Sequence, residues 1–249
     1  MRTLLFACVA SVALPAAADT VLSFDTTDQQ TASTVRMVDG AVRIDGQQAG
    51  EWMLYQADEN ALFIVSPRDR SYTRMDEAGI RQLGGQMDAA RSEWEAELAK
   101  LPPEQRAMAE QMMKRMTGGR SLEKTAPPEP QPTGSSQTVA GVQCANYVVK
   151  QGGASESLCV AKPEALGLSE EEYATVQAMY RLLAKLSEAT GFAGSAAPRA
   201  DKLPGVPVLI EREGGKSRQR LTGVTHPNLE SSVFALPSGY TERDPSSLR

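Results

Sequence analysis

Histidine occurs once in these 249 residues and cysteine three times. With His226 as the lone imidazole, a zinc site of the usual His/Cys kind is short of ligands, and a Ser/His/Asp or Cys/His arrangement would have to run through that one residue. No nucleophile-elbow pattern or other recognisable serine context partners it, and His226 precedes Pro227 near the end of an expected strand, where a turn histidine is the simpler reading. Aromatic residues make up only 5% of the chain, a modest supply for one core. Some apolar surface is therefore free to line a groove. Long apolar runs are lacking too: no stretch reaches the roughly 20 residues a membrane helix needs. Nor is there a basic excess, since a net charge of −5 with both signs interspersed does not resemble the basic stripe of a nucleic-acid binder. EF-hand calcium loops and phosphate-cradling glycine loops are absent. The carboxylate runs Glu170-Glu171-Glu172 and Glu93, Glu95, Glu97 read as solvated helix faces or as favourable charge at a helix start. These absences point to a non-enzymatic protein that needs no cofactor and no metal.

What is present begins with MRTLLFACVASVALPAAA, residues 1–18, which has a basic start at Arg2, an apolar core from Leu4 to Leu14 and small residues before Asp19. This is the layout of a secretory signal peptide cleaved near Ala18. Cys8 faintly resembles a lipoprotein processing box, but cleavage there would leave only seven residues for the whole signal. With Cys8 removed, Cys144 and Cys159 remain, an even count that suggests one disulfide in an exported chain. They flank two strand-like runs around a Gly152-Gly153 turn, so a bridge across that hairpin is geometrically reasonable. A pair of metal-binding or redox thiols is the weaker alternative, because the spacing is wide, no histidine is near and there is no C-x-x-C.

Residues 19–249 read as one α+β domain. TVLSFDT is a first strand, and from Ala32 to Asp76 short extended segments follow one another with turn residues between them. Val35 and Met37 alternate with Arg36, and Val42 and Ile44 with Arg43, around a tight turn at Asp39-Gly40. The next hairpin turns at Asp58-Glu59-Asn60. Its second strand, LFIVS, is apolar at every position but the last, which suits a strand covered on both faces, and the helices that follow are the expected cover.

From Glu77 the period changes. Ile80, Leu83, Met87, Ala90, Trp94, Leu98 and Leu101 recur at three and four residues and mark one face of an amphipathic helix. Pro102 and Pro103 end it and start a second helix, in which Met108, Met112 and Met116 fall at i, i+4 and i+8 with Met113 beside them. The helical insertion spans about 77–118 and stops at Gly118-Gly119. Residues of about 126–137, rich in proline and small polar side chains, read as a solvated linker. Ser169 with Glu172 forms a capping box for a third helix. The chain closes with three expected strands, VPVLIERE, KSRQRLTGVTH and SSVFALPSGY. Alternation puts Lys216, Arg218 and Arg220 on one strand face, as a contact for anionic head groups or an acidic partner, or more simply as the charged row of an edge strand.

VRID (Val42 to Asp45), LFIVSPRDRSYTRMD (Leu62 to Asp76), GVQCANYVV with the later CVA, VPVLIERE and FALPSGYTE together resemble a bacterial periplasmic family of unknown function, related in fold to the outer-membrane lipoprotein carriers. The resemblance implies a half-open, strongly curved antiparallel β-barrel with helices covering the concave face and an apolar cavity between them. It also implies a periplasmic location and lipid or lipoprotein binding without catalysis. The expected lining is Trp52, Leu54, Phe63, Val65, Tyr72, Met108, Met112 and Met116. The expected occupant is a lipid or the acyl chains of a lipoprotein. The competing reading is an envelope protein-protein interaction or stress-related module whose cavity is filled by its own helices.

Overall fold

The computed structural model describes residues 19–27, 32–46, 50–116, 128–151, 154–190, 199–212 and 217–245, with the backbone alone at 110, 113–116, 151 and 154. The expected signal peptide, the helix stop at Gly118-Gly119, the Gly152-Gly153 turn and Lys216 lie outside the described residues. Strands β1 (Thr20–Thr26), β2 (Ala32–Val38), β3 (Ala41–Asp45), β4 (Trp52–Gln56), β5 (Ala61–Ser66) and β6 (Ser71–Met75) form an antiparallel meander. The helices α1 (Glu77–Lys100) and α2 (Pro103–Met116) follow. A second antiparallel run contains β7 (Gln131–Val139), β8 (Val142–Gln151), β9 (Ala154–Ala161), β10 (Val206–Arg212) and β11 (Ser217–Thr225), with α3 (Glu170–Thr190) between β9 and β10. β1 pairs with β11 and joins the two runs, while β12 (Thr241–Arg243) adds to β6 in parallel. The result is a mixed α+β protein with one large, mostly antiparallel sheet of 12 strands that stays open between β12 and β7.

The turns form where the residues require them. Gly40 has φ +80° in the β2–β3 turn, a conformation that costs glycine little because it has no Cβ. α1 starts at Asp76, whose Oδ1 accepts the Ala78 and Gly79 N–H groups at 2.9 Å each, and it ends before Pro102. At Ser169 the capping box is complete: the Glu172 N–H donates to Ser169 Oγ at 3.0 Å and the Ser169 N–H to Glu172 Oε2 at 2.9 Å.

Side-chain alternation sends the apolar residues of β2–β6 to two different covers. On one face Met37, Val42, Tyr55, Leu62 and Met75 join Leu22 and Phe24 against Val176, Met179 and Leu182 of α3. On the other, Ala41, Trp52, Leu54, Ala61, Phe63 and Val65 pack with Phe234. β5 is therefore covered on both sides, but its second cover is the C-terminal segment rather than a helix. The stretch SSVFALPSGY is not the expected closing strand. It makes a single 3-10 turn at Ser231–Phe234 and runs on irregularly to β12. Its ladder hydrogen bonding is forgone, and one buried aromatic anchors it instead.

Two further expectations change. Most of the expected linker is strand: Gln131 to Gln137 belong to β7, an exposed edge. There Gln137 Nε2 donates to Asn146 Oδ1 at 2.8 Å, Asn146 Nδ2 to Ser135 Oγ at 2.9 Å, and Thr133 Oγ1 to the Asn146 carbonyl at 3.1 Å. Small polar side chains thus stitch the edge strand to β8, and Pro132 and a break in register before Ser136 blunt its outer side. β11, expected as a charged edge, lies in the sheet interior between β1 and β10.

Cys144 of β8 and Cys159 of β9 form a disulfide, with Cα atoms 5.4 Å apart and both residues buried. It closes a loop with a sequence separation of 15, and replacing both cysteines with serine is expected to lower the unfolding free energy by about 3 kcal/mol in the chain-entropy model. Urea denaturation of the variant beside the oxidised wild type checks this.

Candidate functional site

The eight side chains expected to line one cavity do not share one. Trp52, Leu54, Phe63 and Val65 are buried together, with Tyr72 half-buried beside them. All five are on the sheet face away from α3, under Leu229, Val233, Phe234, Leu236 and Tyr240. Met108 and Met112 are on α2 and are 68% and 60% exposed. Met116 ends α2, and its side chain lies outside the described residues. The cause is the two-residue period of the strands: Trp52 and Leu54 cannot point to the same side as Met53 and Tyr55, and it is the latter pair that joins the cluster containing α3.

The covered face is held by side chains as well as by packing. The Arg43 guanidinium stacks 3.9 Å from the Trp52 ring centroid, donates to Asp45 through Nε and Nη2, and donates through Nη1 to the Val233 carbonyl at 2.9 Å. Gln56 Nε2 donates to the Phe234 carbonyl at 3.2 Å, and the Leu229 N–H donates to Asp19 Oδ2 at 2.6 Å. Phe63 and Tyr72 meet edge to face at 5.9 Å. Sequence reasoning found the strand residues of this cluster but missed Arg43, Gln56 and Phe234. The available signal was Phe234 itself, a large apolar side chain in a tail otherwise rich in Ser, Glu, Pro and Gly.

A second surface is the pair α1 and α2. Gly79, Ile80 and Gly84 are the buried residues of α1, and beyond Gly84 its side chains are exposed or half-buried. At Gly84 the helix crosses α3 so closely that a Cβ would stand 3.2 Å from Ala189. No described residue of α2 is buried. Its Arg106 donates to the carbonyls of Leu98, Ala99 and Leu101 at 3.1, 3.1 and 3.4 Å. One side chain thus bonds three carbonyls at the end of α1, of which that of Leu98 also takes the Leu101 N–H, and ties the two helices together. α2 was expected as part of the cover over the sheet, but its polar positions leave too narrow an apolar face for that.

Between α1 and α3 opens a groove of about 460 Å³, lined by Glu77, Ile80, Arg81, Lys185, Glu188 and Ala189. Lys185 and Glu77 form an ion pair across it.

A polar junction joins the two halves of the chain. The buried Glu172 carboxyl accepts the Thr20 N–H at 2.9 Å and the Thr20 hydroxyl at 3.1 Å, in addition to the Ser169 N–H. The Thr20 hydroxyl, which donates to Glu172, also lies 3.4 Å from His226 Nδ1. Thr20 is fully buried, so this Thr/His/Glu set serves as a structural clasp between the start of β1, the start of α3 and the end of β11. Among the described residues no group of three or more His, Cys, Asp or Glu side chains is placed to hold a metal ion. No described helix is long and apolar enough to cross a membrane.

No protein-family model and no curated protein matches the chain. Solved structures that resemble it include PNGF-II in the C2 and P21 space groups, with TM-scores of 0.46 and sequence identities of 11% and 10%, covering 92% of this chain. The chain spans about a third of PNGF-II, 31% and 32% of the two structures. An uncharacterised conserved protein from Thermus thermophilus aligns with a TM-score of 0.44 and 7% identity, covering 91% of this chain and 90% of that one. The likeness is too distant to carry a function.

The basic row is only partly described: Arg218 and Arg220 are exposed on β11, and Arg218 Nε donates to Glu211 Oε1 on β10 at 2.6 Å. One of its two described cations is thus already paired within the sheet.

Two measurements test this description. Glu172→Ala leaves the Thr20 and Ser169 N–H groups without acceptors in a buried setting, at an expected cost of about 2–4 kcal/mol, read from the urea midpoint; Glu172→Gln keeps one acceptor and loses less. At the root of α1, the Gly79 N–H bond, opposed by partial burial and aided by Arg74, holds the Asp76 carboxyl below its ordinary range. Its contribution is complete above the usual aspartate pKa and is lost as pH falls through the lowered folded value. Asp76→Ala should therefore destabilise by about 1 kcal/mol near neutrality and by progressively less in acid, as followed by thermal melts across pH.

Proposed function

We propose that the protein is an exported, non-enzymatic binding module of the bacterial envelope that engages a partner protein through the α1–α2 hairpin. The observation that carries this reading is the exposure of Met108 and Met112, the two large apolar side chains that stand most open to solvent among the described residues. They are one helical turn apart on a helix none of whose described side chains is buried. Methionine is flexible and polarizable and suits surfaces that accept apolar partners of varied shape. Arg106 holds the hairpin in a fixed geometry, which lowers the ordering cost of binding.

Export and a periplasmic location are part of the proposal. They are supported by the signal-like residues 1–18 and by a buried disulfide, which belongs to an oxidising compartment. The finer architecture, a strongly curved half-open barrel, is supported by β7 coming within 8 Å of β11 (Cα–Cα) although three strands lie between them in the sheet. Lipid or lipoprotein acyl chains held in a lined interior are the less favoured occupant. Of the residues that reading needs, five are covered by the chain's own C-terminal segment and two face solvent.

The test is a photo-crosslinking amino acid at position 108 or 112, expressed in the native envelope. Discrete protein adducts are expected, and they should disappear when the other methionine is changed to glutamate. Met108→Glu and Met112→Glu should shift stability by no more than about 0.5 kcal/mol, as exposed sites do. Adducts that partition into organic solvent would restore the lipid reading, and an absence of adducts from a folded protein would refute both.

A further inference from the structure

The apolar face of β3–β6 is closed by a segment of a different character from the rest of the core. Between the end of β11 at Thr225 and the start of β12 at Thr241 the chain makes no sheet ladder with the strands beneath it. In residues 226–240 Phe234 is the buried residue, and the others are exposed or half-buried. The polar contacts with the face are made by side chains that read main-chain atoms: Arg43 Nη1 on the Val233 carbonyl, Gln56 Nε2 on the Phe234 carbonyl, and Asp19 Oδ2 on the Leu229 N–H.

The socket is built without its occupant. Asp45 holds the Arg43 guanidinium from one side and Trp52 supports it from below. Arg74 lies 5.8 Å from the Phe63 centroid and is itself held by Glu59 and Asp76. These contacts are all made between residues outside 226–240, so they persist if the segment leaves. Two adjacent donors aimed at consecutive carbonyls beside an aromatic-sized apolar site constitute a reader of a short peptide: the side-chain donors recognise backbone and the site recognises the ring.

We propose that this face is a peptide-binding socket for a partner segment carrying an apolar–aromatic pair like Val233-Phe234, and that residues 229–236 occupy it in cis as an exchangeable latch. The tether gives the resident segment an effective concentration of about millimolar, so an outside peptide competes only when the latch is weakened or released. This surface is on the sheet and is distinct from the α1–α2 hairpin, so it stands or falls independently of the proposed partner contact there.

The test uses a fluorescein-labelled synthetic peptide with the sequence of residues 227–240, titrated by anisotropy into the full chain as wild type and as Phe234→Ala. Saturable 1:1 binding to the variant is expected, at least about thirtyfold tighter than to wild type, as loss of an anchoring aromatic implies. The peptide carrying alanine at position 234 should not bind, and Arg43→Ala in the Phe234→Ala background should abolish binding. A folded Phe234→Ala chain that ignores the peptide overturns the proposal. Binding unaffected by Arg43→Ala overturns it as well, as does a wild-type dimer exchanging these segments. Should Phe234→Ala fail to fold, amide hydrogen exchange of wild type decides. Exchange of the Leu229 amide, whose bond to Asp19 holds the latch to the sheet, well ahead of the β4 and β5 amides supports an independently opening latch, and simultaneous exchange refutes it.

Discussion

Side chains on a strand alternate between faces, so a strand that is apolar at nearly every position must be covered twice. β5 is such a strand, and β4 shares its demand through Trp52 and Leu54 on one side and Tyr55 on the other. Much of the rest of the architecture answers that constraint. α3 lies across one face, and the chain returns over more than 150 residues of intervening sequence to place Phe234 on the other. Leaving Trp52, Leu54, Phe63 and Val65 open would expose a contiguous apolar patch, the kind of surface that drives association.

The return is possible because the two halves of the sheet are locked where β1 meets β11 and α3. Glu172 is central to that lock: it caps its own helix and at the same time accepts both donors of Thr20, so the position of β1 and the start of α3 are set by one carboxyl group. A buried acceptor with three donors is stabilising only while all are in place, since each donor left unpaired costs about 1–3 kcal/mol. The arrangement therefore disfavours any register in which β1 slips relative to α3. It also fixes Asp19, whose carboxyl takes the Leu229 N–H, and so couples the first described residue to the segment that crosses the opposite face.

The local order of the chain was legible because it is written in short-range chemistry. Alternation at Val35 to Ile44, the Asp39-Gly40 turn, Pro102 after α1 and the Ser169/Glu172 box each act within a few residues, and each is found where expected. The cysteine pair was legible from count and spacing. What could not be read was which long-range partner covers which face. The apolar character of LFIVS demands two covers but does not name them, and Phe234 carries no periodic signal because it acts alone. The linker expected at 126–137 failed for a related reason. Pro, Ser, Thr and Gly argue against an interior strand, yet an edge strand needs pairing on one side only and finds extra bonds through Ser135, Gln137 and Asn146.

The candidate sites differ from the expected one for the same physical reason. An apolar side chain on the sheet is worth more when the chain covers it, at about 25 cal/mol per Å² of area removed from water, and this protein spends its C-terminal segment on doing so. α1 and α2 are treated in the opposite way. Arg106 commits its donors to the last carbonyls of α1 rather than to a carboxylate, which stiffens the hairpin while leaving Met108 and Met112 bare. A helix pair that existed only to complete the core would turn its methionines toward the sheet. A pair that holds Met108 and Met112 outward leaves both without apolar cover among the described residues, and that is the contact the proposed partner would supply.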